Sequence, residues 1–231
     1  MRKGFIFDMD GTMVDNMMTH HRAWQIKLRE LGLEMSLEEV HRTIHGKNEE
    51  IIERLFGDRF TPEQRRQIAW EKEERYRQVF LPELKLIDGL EAFLTDCLSK
   101  NIPLSIGTAA PPGNVNFVMD NLNLHPFFKK VVNSADVSHG KPNPEVFEKA
   151  AAGIGIPLSN CLVFEDSPIG ARTAFNAGCP VIVVLTTHQE GEFTHLSNVV
   201  KFINDYTELT VEEVLGFIET NNTVSLLSNV S

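Results

Sequence analysis

Two pairs of acids in this chain sit where chemistry is done. Asp8 and Asp10 follow the apolar run Phe5-Ile6-Phe7 and precede Gly11, and Glu165-Asp166 follows Val163-Phe164. A short apolar run bounded by Gly4 and Gly11 reads as a buried parallel strand, and ligands bind in the crevice at the carboxyl ends of such strands. Two carboxylates about 4 Å apart cost roughly 4 kcal/mol at an effective dielectric near 20, which a divalent cation or a proton on one of them would resolve. Oxygen ligands favour magnesium, which takes one or two carboxylates and completes its shell with water and substrate phosphate. The plainer alternatives are turn chemistry before Gly11 for the first pair, and helix capping ahead of Ser167-Pro168 for Asp166.

Two further residues stand in loops where they could serve such a site. Thr108 follows the strand-like Pro103 to Gly107, and its hydroxyl and the N–H of Ala109 could both donate to a phosphoryl oxygen. A loop threonine also commonly caps its own turn. Lys141 lies in Gly140-Lys141-Pro142-Asn143-Pro144, where flanking prolines can hold an ammonium in place, although most lysines are simply solvated.

In this order the segments resemble the four signatures of the haloacid-dehalogenase-like superfamily of phosphotransferases. Residues 8–15 match Asp-x-Asp-Gly-Thr-x-x-Asp; Thr108, Lys141 and Glu165-Asp166 match the second, third and fourth signatures. The similarity is nearest to the branch with a small helical cap, around the β-phosphoglucomutases, and continues through Thr19-His20-His21-Arg22-Ala23-Trp24. It covers most of the chain apart from the C-terminal tail. The resemblance implies that Asp8 attacks phosphorus to give an aspartyl-phosphate, while Asp10 protonates the leaving oxygen and then activates the acceptor. It implies Mg2+ bound by Asp8, the carbonyl of Asp10 and Asp166, with Glu165 a ligand directly or through water. Thr108 and Lys141 would stabilise the charge of the transferring group.

The same resemblance implies substrate contacts at His20, Trp24, Gly46, Lys47, Asn48, Lys72 and Ala109. His20, Trp24, Gly46 and Lys72 fall where the mutase pattern has the same residue types. The arginine that grips the non-transferring phosphate would fall at Glu49, and the lysine and asparagine after the second signature are replaced by Pro111 and Pro112. A carboxylate opposes a phosphate dianion and proline offers no backbone donor, so the balance tips from the mutase toward hydrolysis of a small, phosphosugar-like ester. Packing of His20 against Trp24, four residues apart on one helix, is the competing account, as is solvation of Lys47 and Lys72. A non-turnover phospho-acceptor signalling module would not need the helical insertion, and a haloalkanoate dehalogenase would need neither magnesium nor Asp10.

The elements that must position these residues alternate. The reading gives helices over 16–31, from Leu37 toward His45, through Phe56 with Asn48 as cap, and from Pro62 to Phe80, followed by a linker at 81–87. Ser36-x-x-Glu39 and Thr61-Pro62 mark two of the starts, and Asp15 could cap the first helix. Beyond residue 88 come helix 89–99, strand 103–107, helix 113–122, a short strand at Val131-Val132, helix 144–153, strand 162–164, helix 168–177 and strand 181–184. That alternation predicts an α/β fold, a doubly wound parallel sheet of Rossmann type, with an all-helical cap inserted after the first strand and lying over the active-site edge. The core would comprise 1–15 and 88–220, the cap 16–80, and 221–231 a loose tail.

Bulk properties agree with an ordinary soluble globular protein of one or two domains: 231 residues, 42% hydrophobic and 23% charged. A net charge of −10 argues against a nucleic-acid partner, so any phosphate must be held by local cations. Cys97, Cys161 and Cys179 lack metal spacing and read as reduced core residues. With the first strand starting almost at once and Val181 to Leu185 too short to span a bilayer, the expectations are a cytoplasmic protein with no membrane partner. No coiled coil points to assembly, so a monomer is expected, its partner a small phosphorylated metabolite.

Overall fold

The apolar run at the start of the chain forms β1 (Gly4–Phe7), and every residue of it is buried. The computed structural model describes residues 2–44 and 46–228. β1 is the inner strand of a six-stranded parallel sheet with β2 (Leu104–Gly107), β3 (Phe128–Val132), β4 (Cys161–Glu165), β5 (Val181–Val184) and β6 (Val199–Ile203), ordered β3-β2-β1-β4-β5-β6. Both faces of the sheet are covered, which explains why its central strands are continuous apolar runs rather than alternating ones. Phe5 and Phe7 point to one face, among Phe93, Phe164 and Tyr206. Ile6 points to the other, among Val146, Phe147, Ala150, Val163 and Val181.

The chain divides into two compact units, Met1–Asp15 with Lys85–Ser231, and Asn16–Leu84. The second is the helical insertion: α1 (Met17–Glu30), α2 (Leu37–Thr43), α3 (Asn48–Phe56) and α4 (Pro62–Phe80). It has its own core of Trp24, Leu28, Val40, Ile44, Ile51, Ile52, Ile68 and Ala69. Capping boxes open α2 at Ser36/Glu39 and α4 at Thr61/Gln64, each satisfying two backbone donors that a helix start leaves unpaired. The first unit adds α5 (Leu90–Ser99), α6 (Pro112–Asn121), α7 (Glu145–Ile154), α8 (Pro168–Asn176) and α9 (Val211–Ser228). The three cysteines are free and buried, and burial pushes the Cys97 and Cys161 thiols up to about 12.

Several local expectations are corrected. Asn16, not Asp15, holds the N-cap position of α1. Asn48 does not cap α3 but begins it, with Lys47 at the N-cap, and the Asn48 side-chain N–H donates to Glu73 Oε1 at 2.7 Å. β6 and α9 go unread in the sequence: β6 is an edge strand of intermediate burial carrying Lys201, and α9 begins beyond the last clear apolar run. That helix continues past Thr220 to Ser228, where a loose tail is expected, since extending a formed helix fixes one residue per added bond. Residues 229–231 lie outside the described residues. None of the helices described is long and apolar enough to cross a membrane.

Candidate active site

Register decides which side chains meet. Phe7 pairs with Ile106 of β2 on one side and Phe164 of β4 on the other, and the Asp8 N–H donates to the Phe164 carbonyl at 2.9 Å. Asp8 therefore leaves the sheet level with Glu165, while Thr108 stands one residue beyond the level of Asp8 on the opposite flank. Gly11, at φ +77°, then reverses the chain. The amides of Thr12, Met13 and Val14 all donate to the Met9 carbonyl, and that of Gly11 to Val14, so the amides of the turn are satisfied within it. A side chain on Gly11 would lie 2.2 Å from Asp166 Oδ2, so the two loops approach more closely than any other residue allows.

The carboxylates of Asp8, Glu165 and Asp166 are buried together. Lys141 reaches them from its proline-flanked loop, with Nζ 2.8 Å from Asp8 Oδ1 and a second ion pair to Glu165 Oε1. Burial pulls the ammonium down, but the charges of Asp8 and Glu165 outweigh it and hold Lys141 above its ordinary range, so it stays a cation. Burial pushes Asp8 up to about 7, against the pull of Lys141 and with help from Glu165 and Asp10. Asp166 is likewise raised, by burial first and then by Glu165 and Asp8. One ammonium leaves this cluster short of positive charge.

That shortfall is what a divalent cation would supply. Asp8, Glu165 and Asp166 each offer an oxygen, all within 4.8 Å of one another, and hard oxygen donors suit magnesium. The group fits. The oxygens of Glu165 are also engaged otherwise: Oε1 by Lys141, and Oε2 by the N–H groups of Asp166 and Ser167 and the Ser167 hydroxyl. Its side chain folds over the start of α8, where Gly170 leaves room; a Cβ there would sit 1.7 Å from Oε1. Asp166 accepts from the Thr12 hydroxyl at 3.4 Å.

The remaining expected residues divide between the units. In the first, Thr108 is buried with its hydroxyl accepting from the Ala110 N–H at 3.1 Å, Ala109 is exposed, and Asp10 is partly exposed. In the insertion, His20, Trp24, Asn48 and Lys72 form one cluster. The Lys72 ammonium donates to His20 Nδ1 at 2.8 Å and to Glu73 Oε1 at 2.9 Å, and lies 5.7 Å from the Trp24 ring. His20 stacks on Tyr76 rather than on Trp24, with centroids 3.8 Å apart; Trp24 packs into the insertion's core. Burial and Lys72 hold His20 well below 6.5, so it is neutral, with its proton on Nε2 by default of the donor at Nδ1. Lys72 is buried, not solvated, whereas Lys47 is exposed; Gly46 turns the chain at φ +98° before α3. Glu73 and Gly170 escape sequence reasoning: the first looks like one more acid on a charged helix, and the second like any helix glycine.

Comparison with known proteins places this geometry. The sequence profile of haloacid dehalogenase-like hydrolases matches residues 2–178. Hexitol phosphatase A of Escherichia coli is 32% identical over 186 residues, 79% of this chain and 82% of its own length. The β-phosphoglucomutase of Bacillus subtilis is 26% identical over 183 residues, 76% of this chain and 80% of its own. Among solved structures, a family IA, variant 3 hydrolase from Entamoeba histolytica superposes with a TM-score of 0.86 at 27% identity, covering 94% of this chain and 99% of that one.

Proposed function

Because the chain belongs to the haloacid dehalogenase-like hydrolase family, we propose that it is a magnesium-dependent phosphatase hydrolysing small phosphosugar-like monoesters through an aspartyl-phosphate on Asp8. The observation that carries this reading is the buried group Asp8, Glu165 and Asp166 with the Lys141 ammonium bonded into it.

In the first half-reaction a carboxylate oxygen of Asp8 forms a bond to phosphorus as the ester P–O bond breaks, and Asp10 gives its proton to the departing alkoxide. In the second, Asp10 takes a proton from water, whose oxygen attacks phosphorus; the bond to Asp8 breaks and phosphate leaves. Lys141 and Thr108 offset charge on the phosphoryl oxygens. Mg2+, when held by Asp8, Asp166, the Asp10 carbonyl and Glu165, supplies the remaining positive charge. In the insertion, His20, Trp24, Gly46, Lys47, Asn48 and Lys72 serve leaving-group recognition, with Ala109 contributing its N–H.

Water is favoured over a sugar hydroxyl as acceptor by two features. Pro111 and Pro112 stand at the N-cap and first position of α6, removing backbone donors where a second phosphate would need them. Glu49 and Glu50 occupy the first turn of α3, which opposes a second dianion. The test is a panel of phosphorylated metabolites with Mg2+, following phosphate release beside conversion of β-glucose 1-phosphate with a bisphosphate primer. Release should dominate and vanish with EDTA. Efficient isomerisation with negligible release would make the chain a mutase, and a single phosphorylation without turnover would make it a signalling acceptor.

A further inference from the structure

The nucleophile turn is held from outside by two hydroxyls that belong to no signature. The Tyr206 hydroxyl donates to the Thr12 carbonyl at 3.0 Å, and the Thr186 hydroxyl donates to the Gly11 carbonyl at 2.6 Å. They come from the chain after β6 and after β5, strands that contribute no charged group to the acid cluster. Tyr206 is 2% exposed and wedged among Phe7, Phe93 and Phe164, with centroids 6.4, 5.9 and 5.7 Å away. Its backbone is pinned too: the Tyr206 N–H donates to Asp88 at 2.9 Å, and Gly89 packs so closely that a Cβ would meet the Thr207 nitrogen at 2.5 Å. A ring fixed on every side presents its hydroxyl in one place.

What these hydroxyls hold is the peptide chain between two functional groups. The Gly11 N–H donates to Val14 at 2.8 Å, and because a trans peptide points its N–H and C=O in opposite directions, that bond aims the Asp10 carbonyl. Thr186 fixes the next peptide and Tyr206 the one after it. Thr12, whose carbonyl Tyr206 holds, also places its own hydroxyl 3.4 Å from Asp166 Oδ1. The Met13 carbonyl accepts from Ile87 at 2.9 Å, so each carbonyl from Gly11 to Met13 has a donor from outside the turn.

We infer that Tyr206 and Thr186 are positioning residues for phosphoryl transfer, clamping the Gly11–Thr12 backbone so that Asp10 and Asp166 keep their places relative to Asp8. The inference rests on the phosphatase reading above. Loss of an outer partner of a metal or catalytic group typically lowers affinity or activity about 10- to 100-fold, which is the scale expected here.

The experiment compares wild type, Tyr206→Phe, Thr186→Val, Thr186→Ser and Asp8→Asn on an aryl phosphate across a magnesium titration, with the Mg2+-induced rise in Tm measured on the same proteins. Tyr206→Phe and Thr186→Val should each lower kcat about 10-fold or more with little change in KM, and should need more Mg2+ both for activity and for the Tm rise. Thr186→Ser, which keeps the hydroxyl, should recover most of both. If Tyr206→Phe and Thr186→Val lose only Tm and keep wild-type kcat and Mg2+ dependence, the clamp is structural alone and the inference falls. If wild type turns over no faster than Asp8→Asn, the phosphatase reading itself has failed, a result distinguishable from failure of the clamp.

Discussion

The Lys141 ammonium lies 2.8 Å from Asp8 Oδ1, with both side chains less than a tenth exposed. A buried cation is thus already seated against the group that would take up phosphorus, and its second partner, Glu165, keeps it there.

Removing that cation should be costly in two ways. Lys141→Met leaves Asp8 and Glu165 facing each other without their shared counter-charge, and breaking a buried pair from one side costs about 3–5 kcal/mol. Urea unfolding should register a loss on that scale. Turnover of an aryl phosphate under native conditions should fall at least about 100-fold, as for loss of one preorganised donor to a developing charge.

Asp8→Asn should retain the fold, because the amide matches the carboxylate in shape, yet lose turnover by a factor of about 10⁴ or more. Circular dichroism checks the first statement and phosphate release the second. Acid-stable labelling by substrate phosphate should disappear with it.

The metal-free protein should carry a pH signature from Asp8. Its folded pKa, about 7, exceeds the ordinary 3.8, so between those values the native state binds more protons than the unfolded one. Stability from this group therefore falls as pH rises from about 4 to 7. His20 acts oppositely: held neutral in the fold, it loses stability as pH drops below 6.5. In EDTA, the Tm difference between wild type and Asp8→Asn should shift steadily against wild type from pH 4 to 7, and saturating Mg2+ should flatten it. A difference independent of pH in EDTA would contradict the buried, cation-poor cluster.

Gly170→Ala sets two effects against each other. Alanine is the better helix former by about 1 kcal/mol. Its Cβ, however, would sit 1.7 Å from Glu165 Oε1, expelling the carboxylate that Asp166, Ser167 and Lys141 all bond. Several charge-assisted bonds outweigh one propensity, so a net loss of roughly 1–3 kcal/mol is expected, read by denaturant midpoint, with turnover reduced alongside.

The parts of the site legible in the sequence were those that announce themselves locally. An apolar run ending in acids names a strand and its payload together, which is why Asp8, Asp10, Glu165 and Asp166 could be picked out, and prolines beside Lys141 marked a held loop. Residues working through someone else's backbone leave no such trace. Tyr206 and Thr186 act on carbonyls 194 and 175 positions away, and nothing in their own neighbourhoods hints at it. Glu73 was hidden because an ion-paired, buried Lys72 looks the same in sequence as a solvated one. β6 escaped for the ordinary reason that a half-covered edge strand with a lysine in it has little apolar contrast.

The place of β1 in the sheet has a consequence for how the protein is made. β1 is synthesised before both strands it pairs with, at residues 104–106 on one side and 161–164 on the other. At about 5–20 residues per second, the nascent Phe5-Ile6-Phe7 segment waits roughly 10–30 s for its second neighbour, with an apolar face uncovered and at least one edge open. Chains cut short before residue 165 are therefore expected to aggregate through this segment, because an unpaired apolar strand edge is a template for another chain.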